Sequence, residues 1–350
     1  SKFEFEFKRK GKFYAYGFEL DTPKIHSEWL YEISKTSEKV IFERRTSDDN
    51  ETTVEFGKVD FKGKKDRQFV EFTGMGTRYN QLFLTESIER GLKHFEDAFF
   101  WFDKVLTFIF PGSQFADLEM GIVGDKDFSR SMLKFLQLFD TGISGISFEK
   151  IDFDDDIMGF PDGFNEQVED LEIDQGAIFR LPDNRRYIVL RDEHNELLTA
   201  KLMTKHTMKG DDEEALLEIS DESDGTQRLM ELIPALIDLL ARDRVYVIDE
   251  LDRSLHLRLS YKILELFLNN KQKQASQLIV TTHESSLLNL NLLRRDEIWF
   301  IEKDKEGASC VYSLEEFAPR YDKDVRKGYL LGRFGAIPIV PNVSDLGWVS

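Results

Sequence analysis

Hydrophobic and polar residues alternate strictly at the start of the chain. Every second residue from Phe3 to Phe7 is aromatic, and the alternation resumes after a basic, glycine-containing turn. A period of two on both sides of a turn predicts an antiparallel β-hairpin. Three further short runs of this kind follow before residue 57, so we predict an antiparallel β lobe over residues 1–75.

After this lobe the hydrophobic spacing becomes helical. Apolar and aromatic residues three or four positions apart run from Ile88 to Leu106 and stop before Pro111-Gly112, which predicts one continuous helix. A second helical pattern covers Met132 to Phe139. We therefore predict a helical insertion over residues 76–145, with its aromatic residues forming core.

An acidic stretch interrupts the pattern. Residues 151–175 contain ten acidic residues and no Lys or Arg. The spacing of Asp152, Asp154 and Asp156 is that of a calcium loop, but Ile157 and Gly163 stand where an EF-hand requires Gly and Glu. We interpret this stretch as a solvated loop, so that 146–218 combines an acidic loop with β-strands that return to the rest of the fold.

From residue 219 onward, strand and helix patterns alternate. Helical spacing at 226–241 and 255–269 flanks the apolar strand 245–250, and a second buried strand covers 277–282. Such alternation favours a mostly parallel sheet, which we place in residues 219–350 together with a Gly- and Pro-rich tail.

Both predicted parallel strands end in residues with catalytic chemistry. Asp249 and Glu250 follow the first strand, and His283 follows the second. Ligands of open α/β sheets bind at the carboxyl ends of the strands, so these side chains are expected to converge. Adjacent carboxylates there can hold Mg²⁺ and polarise an attacking water, and a histidine can contact a phosphate or that water. A solvated turn and a structural histidine are the simpler alternatives.

A serine and a glycine precede the helix that begins near residue 226. Ser223 and Gly225 offer a hydroxyl and unhindered backbone N–H groups at the positive end of a helix dipole, which favours anion binding. An ordinary N-cap from Ser223 or Asp224 would explain the same residues. A calcium loop ending at Glu231 is a third interpretation, and Ser220 at its first position weighs against it.

Composition narrows the functional classes. The 350 residues carry a net charge of −19, which disfavours a broadly cationic nucleic-acid surface. The single cysteine, Cys310, excludes an internal disulfide framework and fits a reducing cytoplasm. No apolar run approaches the roughly 20 residues of a membrane span, so we expect a cytoplasmic protein without membrane contact.

Five stretches of the sequence together resemble one family. They are ESDGTQR at 222–228, VYVIDELDRSLH at 245–256, TTHES at 281–285, GYLLGRFGAIP at 328–338 and FYAYGFELDTPKIHSEWLY at 13–31. The chain is similar to ABC/SMC-type ATPase heads, and within them to prokaryotic AAA-family ATPases of abortive-infection and anti-phage defence operons, relatives of the overcoming-lysogenisation-defect proteins. The resemblance implies an α/β, ABC-ATPase-like (SMC-head-like) P-loop NTPase fold with an antiparallel β lobe and a helical insertion.

The resemblance also implies residue roles around ATP and Mg²⁺. Asp249 would hold Mg²⁺, Glu250 would be the catalytic base, and His283 would sense the γ-phosphate. The signature motif of one subunit would contact ATP bound to another, and the D-loop would cross the same interface, where His256 replaces a common aspartate. The residues implied in these two nucleotide-binding segments are Ser223, Asp224, Gly225, Thr226, Asp252, Ser254 and His256.

One family motif is missing from the sequence. No GxxxxGK[ST] P-loop occurs, and the nearest stretch, Gly57 to Lys65, has the wrong spacing and a lysine where Ser or Thr is required. Because the chain starts at Ser1 rather than Met, we expect the P-loop to lie upstream of it.

The implied function is an ATPase subunit that dimerises, or forms a higher homo-oligomer, around ATP. It would sense phage infection or control a separate effector protein, expected to be a nuclease, with nucleic acid contacted only indirectly. Two alternatives are an ATP-bound scaffold that holds a partner without hydrolysis, and a DNA-repair-type SMC-like head.

Overall fold

A computed structural model describes residues 1–57, 59–115, 118–151, 168–173, 175–180, 185–208, 214–270, 275–318 and 324–338. The chain divides into two compact units, Ser1–Thr107 and Phe108–Ser350. The calcium-like aspartates Asp152, Asp154 and Asp156 and the end of the Gly- and Pro-rich tail lie outside the described residues. No helix in the described ranges is both long and apolar enough to cross a membrane.

The first unit is built on a five-stranded antiparallel sheet. Its strands follow the order β1-β2-β3-β4-β5, and the β1–β2 register from Lys2↔Glu19 to Arg9↔Lys12 confirms the predicted hairpin. The strands are β1 Lys2–Arg9, β2 Lys12–Leu20, β3 Ile25–Ile33, β4 Glu38–Thr46 and β5 Thr52–Phe56.

Short helices cover one face of this sheet, where Phe42, Phe83 and Phe95 pack edge to face with ring centroids 4.9–5.5 Å apart. The buried Glu28 accepts hydrogen bonds from the backbone N–H groups of Phe83 and Leu84 and so fixes the start of the second helix. The helical segments are α1 Lys64–Gly76, α2 Phe83–Glu89, α3 Glu96–Phe100 and a π-helical turn Trp101–Val105.

The single helix predicted from Ile88 to Leu106 is wrong. The chain leaves α2 at Glu89, and Gly91 adopts a φ of +77°, which breaks the helix. The segment Leu106–Ile109 forms strand β6. Its helical spacing is overridden because the strand pairs within a sheet, where Ile109 O accepts a hydrogen bond from the N–H of Asp249 at 2.8 Å.

Gly17 in β2 lies directly beneath the indole of Trp29. A Cβ at this position would stand 2.3 Å from Trp29 and 2.7 Å from the carbonyl of Phe3. We expect Gly17→Ala to destabilise the first unit by about 2 kcal/mol through overpacking. Thermal unfolding should show this loss, whereas Gly76→Ala, where a Cβ meets nothing within 4 Å, should leave stability unchanged or raise it.

The second unit is a mixed α/β structure that begins with two helices and a second antiparallel sheet. This sheet has the order β11-β10-β9-β8, and β7 also pairs with β10. Its elements are α4 Leu118–Gly124, α5 Lys126–Leu138, β7 Ile143–Ile151, β8 Gly176–Arg180, β9 Arg186–Arg191, β10 Leu197–Thr207 and β11 Glu214–Glu218.

A three-stranded sheet of order β13-β12-β6 follows, and β12 and β13 are parallel, as predicted. The strand–helix alternation predicted from residue 219 is therefore confirmed in this part of the unit. The remaining elements are α6 Asp224–Ala241, β12 Val245–Ile248, α7 Leu257–Leu268, β13 Gln277–Val280, β14 Trp299–Lys303, β15 Ser309–Ser313 and α8 Val325–Leu330.

Helix α6 is the centre of the second unit's core. The sequence predicts an apolar stripe on one face, but residues 228–236 are all buried. Leu229, Ile233 and Leu236 belong to one cluster with residues of α5, β12 and α7. A helix surrounded on all sides must also satisfy its buried polar groups.

Glu231 supplies the main polar contact of this helix. Its carboxylate bonds the Arg186 guanidinium and accepts a hydrogen bond from the N–H of Phe115, and Glu119 lies 3.4 Å from the same guanidinium. The Arg186, Glu119 and Glu231 side chains are at most 7 % exposed. This buried ion network joins α4, β9 and α6, which lie far apart in the sequence.

Candidate functional site

The parallel pairing of β12 and β13 places two strand ends side by side. Val245 pairs with Gln277, and the register continues to Ile248 opposite Val280. Asp249 and Glu250 therefore leave one strand at the same edge where Thr281 and His283 leave the other. The predicted convergence at this edge is found in the structure.

Thr281 joins the two strand ends. Its hydroxyl lies 2.5 Å from Oδ1 of Asp249, to which it donates, and it accepts the N–H of Glu250 at 2.9 Å. The Thr281 carbonyl accepts the N–H of Leu251 at 3.0 Å. One residue thus fixes the position of both acidic residues. Sequence reasoning missed this role, although Thr281 is part of the TTHES stretch.

Glu250 is held in an unusual backbone conformation. Its φ is +49°, a region that non-glycine residues rarely adopt and that often marks functional positions. Its carboxylate lies 4.0 Å from Nε2 of His283 and 3.9 Å from Nη1 of Arg253. The His283 side chain is 87 % exposed, so it is free to reach a ligand in front of Glu250.

The carboxylates at this edge of the sheet suit Mg²⁺ better than a cation whose ligands must all come from the protein. Within the described ranges, no group of three or more His, Cys, Asp or Glu residues could hold a metal ion. Mg²⁺ at phosphate sites takes one or two carboxylates and completes its shell with phosphate oxygens and water. Asp249 uses Oδ1 to accept the Thr281 hydroxyl, which leaves Oδ2 for such a cation.

The start of α6 forms the second group of candidate residues. Ser223 is the N-cap: its hydroxyl accepts the N–H of Thr226 at 3.2 Å and lies 3.0 Å from the Thr226 hydroxyl. Ser223 and Asp224 are exposed, and Thr226 is buried. The N-cap interpretation is therefore confirmed, and the exposed helix start remains able to bind an anion.

The calcium-loop interpretation of this segment is wrong. Helix α6 already begins at Asp224, inside the stretch that would have to form the loop. Glu231, the expected bidentate ligand, is buried against Arg186 and the backbone N–H of Phe115. Its carboxylate cannot coordinate a cation at the surface.

The segment 252–256 packs against the start of α6. A Cβ on Gly225 would stand 2.9 Å from the carbonyl of Ser254, so only glycine allows this approach without displacement. Ser254 has a φ of +61°. Asp252 accepts the N–H of His283 at 3.3 Å, which ties this segment to the second strand end.

His256 caps α7 within its own chain. Its Nδ1 accepts the N–H of Arg258 at 3.2 Å, and the residue is exposed. The exchange of aspartate for histidine at this position therefore has a local structural role, and Nε2 is the atom left for contact with another molecule.

Arg228 is a second residue that the sequence did not single out. It is 7 % exposed, and its Nη1 makes long contacts of 3.4–3.5 Å to the carbonyls of Phe110 and Pro111. Burial, reinforced by Arg253, lowers the pKa of its guanidinium, while Glu231 and Glu250 act in the opposite direction. Arg228 thus couples the core helix electrostatically to Glu250.

The candidate residues form two groups in one chain. Asp249, Glu250, Asp252 and His283 share the strand-end edge, and residues 223–226 lie with Ser254 at the start of α6. Among the described residues, no hydrogen bond or ion pair joins 223–226 to Glu250 or His283.

A protein-family model described as "AAA domain, putative AbiEii toxin, Type IV TA system" matches residues 133–289. The matched segment is a little under half of the chain and contains both groups of candidate residues. No curated protein matches the chain. The match supports an AAA-type ATPase family and, with the mixed α/β architecture, a P-loop NTPase fold with nucleotide binding.

Proposed function

We propose that this chain is the Walker B, signature and switch portion of an ATP-hydrolysing head with an ABC/SMC-like architecture. Two copies would close around ATP, each supplying Asp249, Glu250 and His283 to one nucleotide and Ser223 to Thr226 to the nucleotide bound by the other. The observation that carries the proposal is the convergence of an acid pair and a histidine at adjacent parallel strand ends, fixed by Thr281.

Each side chain has a task that its surroundings permit. Asp249, oriented by the Thr281 hydroxyl, would hold Mg²⁺, which neutralises charge on the phosphates when bound. Glu250 would accept a proton from the attacking water. His283 is exposed and close enough to Glu250 to contact the same water or the terminal phosphate.

The phosphate cradle must come from a P-loop that these 350 residues do not contain. Among the described strands, β13 pairs only with β12, so its other edge remains open. Ile279 on this strand is 54 % exposed. In our proposal a strand carrying the P-loop pairs with this edge, which would bring its loop to the same sheet edge as Asp249 and His283.

The proposal extends to a role in anti-phage defence with a separate effector. It rests on the resemblance stated above and on a matching family whose description refers to a toxin. Within the described ranges, no cluster of His, Cys, Asp and Glu residues suited to metal-dependent nuclease chemistry is present. The effector chemistry would therefore belong to a partner protein.

ATP-dependent dimerisation of the full-length protein tests this proposal. Sedimentation should show a monomer without nucleotide and a dimer with Mg²⁺ and ATP. Ser223→Arg places a bulky cation at the proposed interface and should abolish the dimer. Because Ser223 is exposed, the stability loss should be limited to about 1 kcal/mol for the removed N-cap. Lys262→Arg, at a partly exposed position of α7, is the control that should dimerise normally. A nucleotide-independent oligomeric state in all variants would contradict the proposal.

Thr281→Val should lower ATP turnover by about 10- to 100-fold, as expected when a residue that orients a metal ligand is lost. Both acidic residues lose their shared partner, while the side-chain volume is nearly unchanged. The matched control is Thr282→Val, because within the described part of the chain that hydroxyl makes one hydrogen bond, which it accepts from the N–H of Glu284. Steady-state hydrolysis of the two variants side by side measures the difference, and equal rates would remove Thr281 from the site.

A further inference from the structure

The outer face of the first unit's sheet contains a groove with acidic and aromatic walls. It has a volume of about 300 Å³, and its lining residues are Lys2, Glu4, Glu6, Ala15, Glu19, Trp29, Tyr31 and Glu38. This face is the one opposite to the packed helices, because its strand positions alternate with those of the buried Phe7 and Leu30, and Phe7 stacks on Trp101.

The shape of the groove follows from the strand register. Glu4 pairs with Gly17 and Gly17 with Trp29, while Glu6 pairs with Ala15 and Ala15 with Tyr31. Ala15 of β2 therefore lines the groove between Glu6 on β1 and Tyr31 on β3, whereas Gly17 is covered by the indole of Trp29. The backbones of β1 and β3 are about 10 Å apart, the width of two strand spacings, and side chains from both strands lean over β2.

The walls already bind an ammonium group from the chain itself. Nζ of Lys2 lies 5.1 Å from the centre of the Trp29 ring and 3.6 Å from the carboxylate of Glu4. On the same face, Nζ of Lys8 lies 5.2 Å from the ring of Phe13. An aromatic face beside a carboxylate is a recognised site for Lys and Arg side chains.

The rings are held in place for such contacts. The Tyr31 hydroxyl donates to Glu43 at 2.7 Å, and burial, together with this hydrogen bond, raises the pKa of Tyr31 to about 12. The indole of Trp29 is seated over Gly17. Among the described residues, Glu6 and Glu38 make no ion pair, so their charges remain available to a partner.

We propose that this groove binds an extended, lysine-rich segment of a partner protein. Glu19 stands opposite Ser27 and Glu38 opposite Ile33, so the acidic positions extend over roughly 20 Å along β3. One small amine covers only part of this length, whereas alternate side chains of an extended segment can contact several of these carboxylates and rings at once. The acidic lining repels nucleic acid and acidic surfaces.

A peptide-binding measurement on the full chain tests this assignment without nucleotide. Fluorescence anisotropy with a labelled lysine-rich peptide of about eight residues should show saturable binding that weakens with salt. Replacing both Glu4 and Glu6 by glutamine should weaken it at least fivefold. The matched control, Glu89→Gln with Glu96→Gln, makes the same change of charge at exposed positions off the groove and should change it less than twofold.

Removal of Lys2, whose ammonium group occupies part of the groove, should raise the peptide affinity instead of lowering it. Lys2→Ala frees the ring of Trp29 and the carboxylate of Glu4 and should tighten peptide binding, whereas Lys93→Ala, off the groove, should not. The proposal would be overturned if the groove and control variants had equal effects, or if the peptide did not bind to the wild type. It would also be overturned if spermine bound as tightly as the peptide. Circular dichroism verifies that each variant is folded.

Discussion

Full-length protein with Glu250→Gln should hydrolyse ATP about 10²–10⁴-fold more slowly than wild type, the factor usually contributed by a general base. ATP affinity should remain within a small factor, because glutamine keeps the size of the side chain and Asp249 remains to hold Mg²⁺. The ATP-bound dimer should therefore accumulate. Steady-state phosphate release and nucleotide binding by fluorescence, measured on the same samples, separate the two effects.

The control for this substitution is Glu265→Gln, a partly exposed carboxylate on α7 whose partner is Lys262. It removes one negative charge from the same unit and should leave turnover unchanged. If wild type hydrolyses ATP no faster than Glu250→Gln, the ATPase proposal fails and an ATP-bound scaffold becomes the better account. Loss of ATP binding in the variant would instead assign Glu250 to nucleotide or metal binding.

Glu231→Ala should destabilise the second unit by about 3 kcal/mol, more than Gly17→Ala destabilises the first, because it breaks a buried ion network. Among the described residues, its loss leaves Arg186 with the carboxylate of Glu119 at 3.4 Å and removes the carboxylate oxygen that accepts the Phe115 N–H. For a unit of this size the change corresponds to a fall of about 6–12 °C in the melting temperature. Calorimetry of the full chain measures it.

Glu231→Gln separates charge from hydrogen bonding in this network. The amide oxygen can still accept from Phe115 or Arg186, so its stability loss should be smaller than that of the alanine variant. Glu218→Ala removes a partly exposed carboxylate paired with Lys201 and should cost less than about 1 kcal/mol. Similar losses for Glu231→Ala and Glu218→Ala would contradict the structural role assigned to Glu231.

The parts of the fold that depend on local pattern could be predicted from the sequence. The period-two pattern identifies the β1–β2 hairpin, and the apolar runs before Asp249 and His283 identify two neighbouring strands. Only β12 is mostly buried; the prediction of a buried strand before His283 is wrong, because one edge of β13 has no partner strand among the described residues and Ile279 is 54 % exposed. Parallel strands present their carboxyl ends at one edge, so the convergence of these residues follows once the strands are neighbours.

The parts of the fold that depend on contacts between residues distant in sequence could not be predicted. Arg186 contacts Glu119 and Glu231, which lie 67 and 45 positions away in the sequence. In the sequence, each of these residues has the pattern of an ordinary charged surface residue. Leu106–Ile109 has helical spacing but forms a strand because β12 offers it a partner. Thr281 has a role only because strand pairing brings it to Asp249.

The central claim is that each reactive site combines the strand-end residues of one copy with the helix start of another. Mixing full-length Ser223→Arg protein with Glu250→Gln protein tests it most directly, because each variant alone lacks one half of the site. A mixed dimer contains one intact composite site and only one substituted interface, so ATP turnover should rise above that of either variant alone, with about one quarter of the wild-type rate, the value for random pairing, as its upper limit. Turnover that stays at the level of the separate variants after verified exchange would contradict the account.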